Sequence, residues 1–131
     1  EYNTLFIVND DVNLCKKVGA HGIHIGQGDI NVRSAREILG DKYIIGVTCH
    51  NSLELALEAE RSGADYIALG AIFKSKNKSE SIHCSLSQVA EIKKNISIPI
   101  VGIGGVNLEN QYSLYQAGCS SVAMIDGLFI Q

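Results

Sequence analysis

The sequence predicts an α/β protein built on a parallel sheet, and three observations carry that prediction. Short β-rich apolar runs recur along the chain, and stretches with helical apolar spacing lie between them. One phrase also appears three times: Val18-Gly19-Ala20-His21-Gly22-Ile23, Ser62-Gly63-Ala64-Asp65-Tyr66-Ile67 and Ala117-Gly118-Cys119-Ser120-Ser121-Val122. Each is a helix end, a tight turn and a new strand, so the chain repeats a βα unit of about 20–25 residues. Strands that are apolar on both faces and joined by helices pair in parallel through right-handed crossovers.

Taken in order, strands are expected at Leu5–Val8, Gly22–Ile25, Ile44–Val47, Tyr66–Leu69, Ile100–Ile103 and Val122–Ile125. Between them, Val32, Ala35, Ile38 and Leu39 form one helical stripe, Leu53, Ala56 and Leu57 a second, and Leu108, Tyr112 and Tyr115 a third. Asn51 with Glu54, and Ser85 with Gln88, have the spacing of capping boxes, in which side chains satisfy orphan backbone donors of a first turn. Gly19, Gly40, Gly63 and Gly118 follow the helical stretches, where glycine takes a positive φ without a Cβ penalty. The sum is about six strands and five helices. An open doubly wound sheet and part of a (β/α)8 barrel both satisfy this pattern.

Composition narrows the function classes. The 131 residues are 46% hydrophobic and 19% charged, enough for one core and too few for two ordinary domains, so residues 1–131 are expected to form a single domain. Eleven Lys plus Arg, a net charge of −3 and a pI near 5.8 argue against a nucleic-acid binder. No apolar run approaches a membrane span, and no signal segment opens the chain, which points to a cytoplasmic protein. Cys15, Cys49, Cys84 and Cys119 lack C-x-x-C spacing and are expected to be packed, reduced thiols.

In parallel α/β folds ligands bind beyond the carboxyl ends of the strands. Following each expected strand gives Asn9, Asp10 and Asp11; then Gly26, Gln27 and Asp29; then Thr48 and His50. The fourth strand opens a long basic run, Phe73-Lys74-Ser75-Lys76-Asn77-Lys78-Ser79-Glu80-Ser81. The fifth ends in Gly104-Gly105 and the sixth in Asp126-Gly127. Carboxylates, lysines and a double glycine on one rim suit a phosphorylated ligand held with Mg²⁺, which takes hard oxygen ligands. Asp10 or Asp11 is equally placed to cap the helix starting near Val12, and Asp29 to make an ordinary turn. His21 and His24 are expected to be structural.

Several motifs taken together resemble thiamine-phosphate synthases: Asn9-Asp10, His24-Ile25-Gly26-Gln27-Gly28-Asp29, Gly46-Val47-Thr48-Cys49-His50, Asp65 through Phe73, and Pro99 through Val106. The resemblance covers essentially the whole chain in motif order. It implies a (β/α)8 barrel, present here as an incomplete barrel lacking the N-terminal βα units, with exposed strand edges through which copies could associate. It also implies a transferase that joins hydroxymethylpyrimidine diphosphate to thiazole phosphate, giving thiamine phosphate and pyrophosphate. By the same resemblance Asp10 and Asp29 would ligate Mg²⁺. Asn9, Gln27 and Asn77 would line the substrate site, with Asn9 on the diphosphate. Thr48 and Lys78 would be the catalytic pair, Thr48 beside the pyrimidine and Lys78 on the leaving group. Ser75, Gly104, Gly105, Ile125 and Asp126 would surround the thiazole phosphate.

Two other readings remain open at this point. A related thiazole tautomerase would use His50 as its acid–base group. A non-catalytic phosphate-binding module, or an inactive fragment, would accord with Asp11 and Asp126, which stand where the family has arginine and serine.

Overall fold

The computed structural model describes residues 2–73 and 81–129. Six strands alternate with helices: β1 (Ile7–Asn9), α1 (Val12–Val18), β2 (Gly22–Ile25), α2 (Val32–Leu39), β3 (Ile44–His50), α3 (Leu53–Arg61), β4 (Tyr66–Leu69), α4 (Leu86–Asn95), β5 (Ile100–Gly102), α5 (Gln111–Ala117), β6 (Ser121–Val122) and α6 (Asp126–Phe129). Every neighbouring pair is parallel, and the sheet order is β1-β2-β3-β4-β5-β6. That order decides between the two architectures left open by the sequence. A doubly wound sheet reverses direction at a switch point, whereas here each crossover adds its strand on the same side. The result is an incomplete α/β barrel of six strands. Among the described residues there are six helices rather than five, because Asp126–Phe129 closes one further turn after β6.

Burial separates the two faces of the sheet. Val8, Ile23, Ile25, Ile45, Val47, Cys49, Ile67, Leu69 and Ile100 are buried in one cluster with the helix residues Val12, Ala35, Ala56, Val89 and Leu114. Because strand side chains alternate, the residues between them occupy the opposite, inner face: Asn9, His24, Gly46, Thr48, Tyr66 and Ala68. The apolar helix-facing set is what holds the layers together; the inner face is where polar side chains converge.

Local signals fix most element ends. Asp11 accepts the Leu14 N–H and caps α1, Asn31 caps α2 through Ser34, and Ser85 with Gln88 forms the expected capping box on α4. The cap of α3 is Ser52, which accepts from Leu55, rather than Asn51; the Asn51 amide instead donates to the His83 carbonyl. Gly19, Gly40, Gly63 and Gly118 all have positive φ.

The third helical stripe departs from expectation. Leu108, Tyr112 and Tyr115 are exposed, and Leu114 is the buried residue of α5. Asn107 Oδ1 accepts from the Glu109 and Asn110 amides, which places Leu108 in a turn before the helix. β1 is also shifted, running Ile7–Asn9 rather than Leu5–Val8, because pairing starts at Ile7 opposite Gly22.

A candidate active site at the carboxyl ends of the strands

Parallel pairing sends the carboxyl ends of all six strands to one side, and the expected site residues are built there from successive turns. After β1, Asp10 sits at φ 68° and donates its N–H to the His24 carbonyl at 2.9 Å. This left-handed residue, a conformation aspartate adopts more readily than most, turns the chain so that Asp11 caps α1. The two adjacent acids therefore divide the work: Asp11 is spent on the helix and Asp10 faces the mouth.

After β2, Gly26-Gln27-Gly28-Asp29 forms a tight turn in which Asp29 Oδ2 accepts the Gly26 N–H at 2.8 Å. Asp29 is thus both a turn residue and a neighbour of Asp10. The Asp29 carboxyl lies close enough to raise the Asp10 pKa, first by hydrogen bonding to the protonated acid; desolvation and the charge of Asp29 add to the rise, while His24 opposes it. Two acids forced together at an exposed mouth repel unless a proton or a cation lies between them. Among the described residues no three His, Cys, Asp or Glu side chains cluster into a closed metal cage. A pair of carboxylates without a third protein ligand is the donor set Mg²⁺ accepts when phosphate oxygens and water complete its shell, so these residues fit that ion.

Within β3, Thr48 is held twice. Gln27 Nε2 donates to the Thr48 carbonyl at 2.7 Å, and the Thr48 hydroxyl lies 2.7 Å from His24 Nε2. His24 Nδ1 lies 2.8 Å from the Tyr66 hydroxyl, so the ring bridges two hydroxyls on neighbouring strands. Burial lowers the His24 pKa, which favours the neutral ring. Sequence reasoning set His24 aside as structural. The signal that could have found it is register: Asn9, His24, Gly46 and Tyr66 pair in one row across β1 to β4. His21, by contrast, accepts the Phe6 N–H through Nδ1 and holds the chain leading into β1.

Gly104 and Gly105 follow β5 with φ of 103° and 62°, and a Cβ on Gly104 would lie 2.6 Å from the Ala71 Cα. Asp126 begins α6, where a Cβ on Gly127 would lie 2.9 Å from the Asn107 Cα. Gly104 thus packs against the segment after β4, and the start of α6 packs against Val106 and Asn107, which follow the double glycine, with Ile125 exposed. His50 ends β3 at φ 55°, and its carbonyl accepts the Gly70 N–H. Ser75, Asn77 and Lys78 lie outside the described residues.

The thiamine monophosphate synthase family matches residues 1–128. The chain belongs to that family. Among thiamine-phosphate synthases, the one from Nitrosococcus oceani is 48% identical over 129 residues, covering 98% of this chain and 59% of that protein. The one from Alcanivorax borkumensis is 47% identical over 131 residues, covering all of this chain and 60% of that protein. Thiamine phosphate pyrophosphorylase from Pyrococcus furiosus superposes with a TM-score of 0.86 at 35% identity, over 95% of this chain and 59% of that one. FabK from Thermotoga maritima, at 20% identity and a TM-score of 0.76, shares the fold alone. The chain thus spans about 60% of the length of the thiamine-phosphate synthases it matches. No described helix of this family member is long and apolar enough to cross a membrane.

Proposed function

We propose that this chain carries the diphosphate and thiazole-phosphate sites of a cytoplasmic thiamine-phosphate synthase, with residues 1–131 acting as one domain. The reaction joins hydroxymethylpyrimidine diphosphate to thiazole phosphate. The bond between the pyrimidine methylene and the diphosphate oxygen breaks, pyrophosphate leaves, and the thiazole nitrogen forms the new bond to the methylene. The observation that supports this most is the meeting of Asp10 and Asp29 from two separate βα turns, close enough that Asp29 raises the Asp10 pKa.

Mg²⁺ held by those carboxylates would offset the charge that develops on the departing diphosphate. The chain's own residues do the rest. Asn9, at the end of β1, is placed to bind the same diphosphate, and Lys78 in the basic loop would stabilise the leaving group. Gln27 and His24 fix Thr48 beside the reacting pyrimidine. Backbone amides of Gly104, Gly105 and the turn at Ile125-Asp126 would receive the thiazole phosphate, where glycine permits close approach. Ser75 and Asn77 would complete that side. Fixed donors that replace water around the bound substrates are worth more than the same groups in bulk solvent, so positioning and charge compensation suffice without a protein nucleophile.

Incubating the protein with both substrates, with and without Mg²⁺, tests the reading. Mg²⁺-dependent release of pyrophosphate with thiamine phosphate is expected. Isomerisation of a thiazole carboxylate phosphate with no condensation would favour the tautomerase reading through His50 instead.

A further inference from the structure

The row of residues that pairs across β2, β3 and β4 at the level of His24 contains a hole. His24 is opposite Gly46, and Gly46 is opposite Tyr66. A Cβ built on Gly46 would fall inside the Tyr66 ring. The ring therefore leans across the central strand of the three, stacks against His24 with centroids 5.6 Å apart, and brings its hydroxyl to 2.8 Å from His24 Nδ1. On its other side His24 meets the Thr48 hydroxyl at 2.7 Å. Tyr66, His24 and Thr48 thus form a chain of hydrogen bonds that exists only because β3 has no side chain at position 46.

We propose that Gly46 is a positioning residue, whose empty volume lets Tyr66 hold His24 as the Nε2–H tautomer and so leaves the Thr48 hydroxyl hydrogen to donate into the mouth. The direction follows from relative acidity. A neutral imidazole has one donor and one acceptor nitrogen. A phenol is a stronger donor than an alkyl hydroxyl, so Tyr66 donates to Nδ1. Nε2–H then donates to Thr48 Oγ1, and the hydroxyl hydrogen of Thr48 is free for an acceptor atom of the ligand. The Gln27 bond to the Thr48 carbonyl fixes the backbone from which that hydroxyl projects. The consequence for catalysis rests on the synthase reading given above; the tautomer itself does not.

Long-range ¹H–¹⁵N correlation spectra of ¹⁵N-labelled protein, with His24 assigned through His24→Gln and recorded where the ring is neutral, read the tautomer directly. His24 is expected as Nε2–H. Tyr66→Phe removes only the hydroxyl and is expected to convert that signal to a tautomer mixture. Gly46→Ala is expected to give the same change with circular dichroism intact. The two single variants should lower kcat by a similar factor, and the double variant by no more than either alone, since all three break one chain. A His24 ring found as Nδ1–H, or one whose tautomer ignores Tyr66→Phe, overturns the proposal. If Gly46→Ala does not fold, Tyr66→Phe decides alone. Spectra as expected in a protein without condensing activity would leave the chain standing and count against the synthase reading only.

Discussion

The Asp29 carboxyl lies close enough to that of Asp10 to raise its pKa, although the two residues come from turns after different strands and are both exposed. The pair has a definite pH signature without a cation. The folded pKa of Asp10 lies above its unfolded value, so the folded state holds the extra proton between the two. Stability therefore falls as pH rises through the folded pKa. Asp10→Asn is expected to flatten that decline. In thermal melts at neutral pH, Mg²⁺ should raise the midpoint of the parent and leave Asp10→Asn unmoved. An equal rise in both would remove Asp10 from the cation site.

Asp11 predicts the opposite pattern from its neighbour. Its carboxylate accepts the Leu14 N–H at 2.9 Å as the α1 cap. Asp11→Ala is expected to cost about 1 kcal/mol of stability, the usual value of such a cap, while the response to Mg²⁺ persists. Urea unfolding of the two variants side by side, with and without the ion, separates the roles.

Arg36 ties three segments at the amino-terminal side of the sheet. Its guanidinium donates to the carbonyls of Gly40, Tyr43 and Gly63 and to Asp65 Oδ2, which in turn accepts the Ile45 N–H. Arg36→Ala strands those acceptors, and part-buried unsatisfied groups cost about 1–3 kcal/mol. Arg36→Lys is expected to recover little, because one ammonium cannot span the same fork. Chemical denaturation of both variants measures this.

How much of this was legible in the chain depends on the range of the interactions involved. The βα order, the glycine turns and the Ser85–Gln88 box are local, and spacing alone exposes them. The barrel topology was open to the residues because strand order is a long-range property; the resemblance, rather than periodicity, pointed to it. Which of Asp10 and Asp11 caps α1 was equally open, since it depends on the left-handed turn at Asp10. The partners of His24 were not legible because Thr48 and Tyr66 lie 24 and 42 residues away and meet it only through strand register. Leu108, Tyr112 and Tyr115 misled because their helical spacing is real while the Asn107 turn delays the helix and rotates the face it buries.

The thiols give a chemical check on the packing. All four are buried, and desolvation pushes Cys49 to about 12 and Cys84 and Cys119 to about 11. Because the thiolate is the reactive form, none is expected to react with an aromatic disulfide reagent at pH 8 on the timescale of minutes. All four should react at once in denaturant. Rapid labelling of the native protein would contradict the buried core.

The close approach of α5 to β5 rests on Gly102. A Cβ there would collide with Leu114 Cδ2 and lie 3.0 Å from Cys119 Sγ, so the helix can sit against the strand only because this position is bare. Leu114 is itself fully buried. Gly102→Ala is expected to cost about 1–3 kcal/mol by overpacking, and Leu114→Ala about 2–5 kcal/mol by opening a cavity. The two changes meet at one contact, and the methyl added by the first partly fills the space left by the second. The double variant should therefore lose less than the sum of the singles, a coupling that urea unfolding resolves when it exceeds about 0.5 kcal/mol. Strict additivity would mean that α5 moves off the strand in Gly102→Ala instead of straining against it. The Gly104-Gly105 loop lies between β5 and α5, so in that case affinity at the proposed phosphate site would fall along with stability.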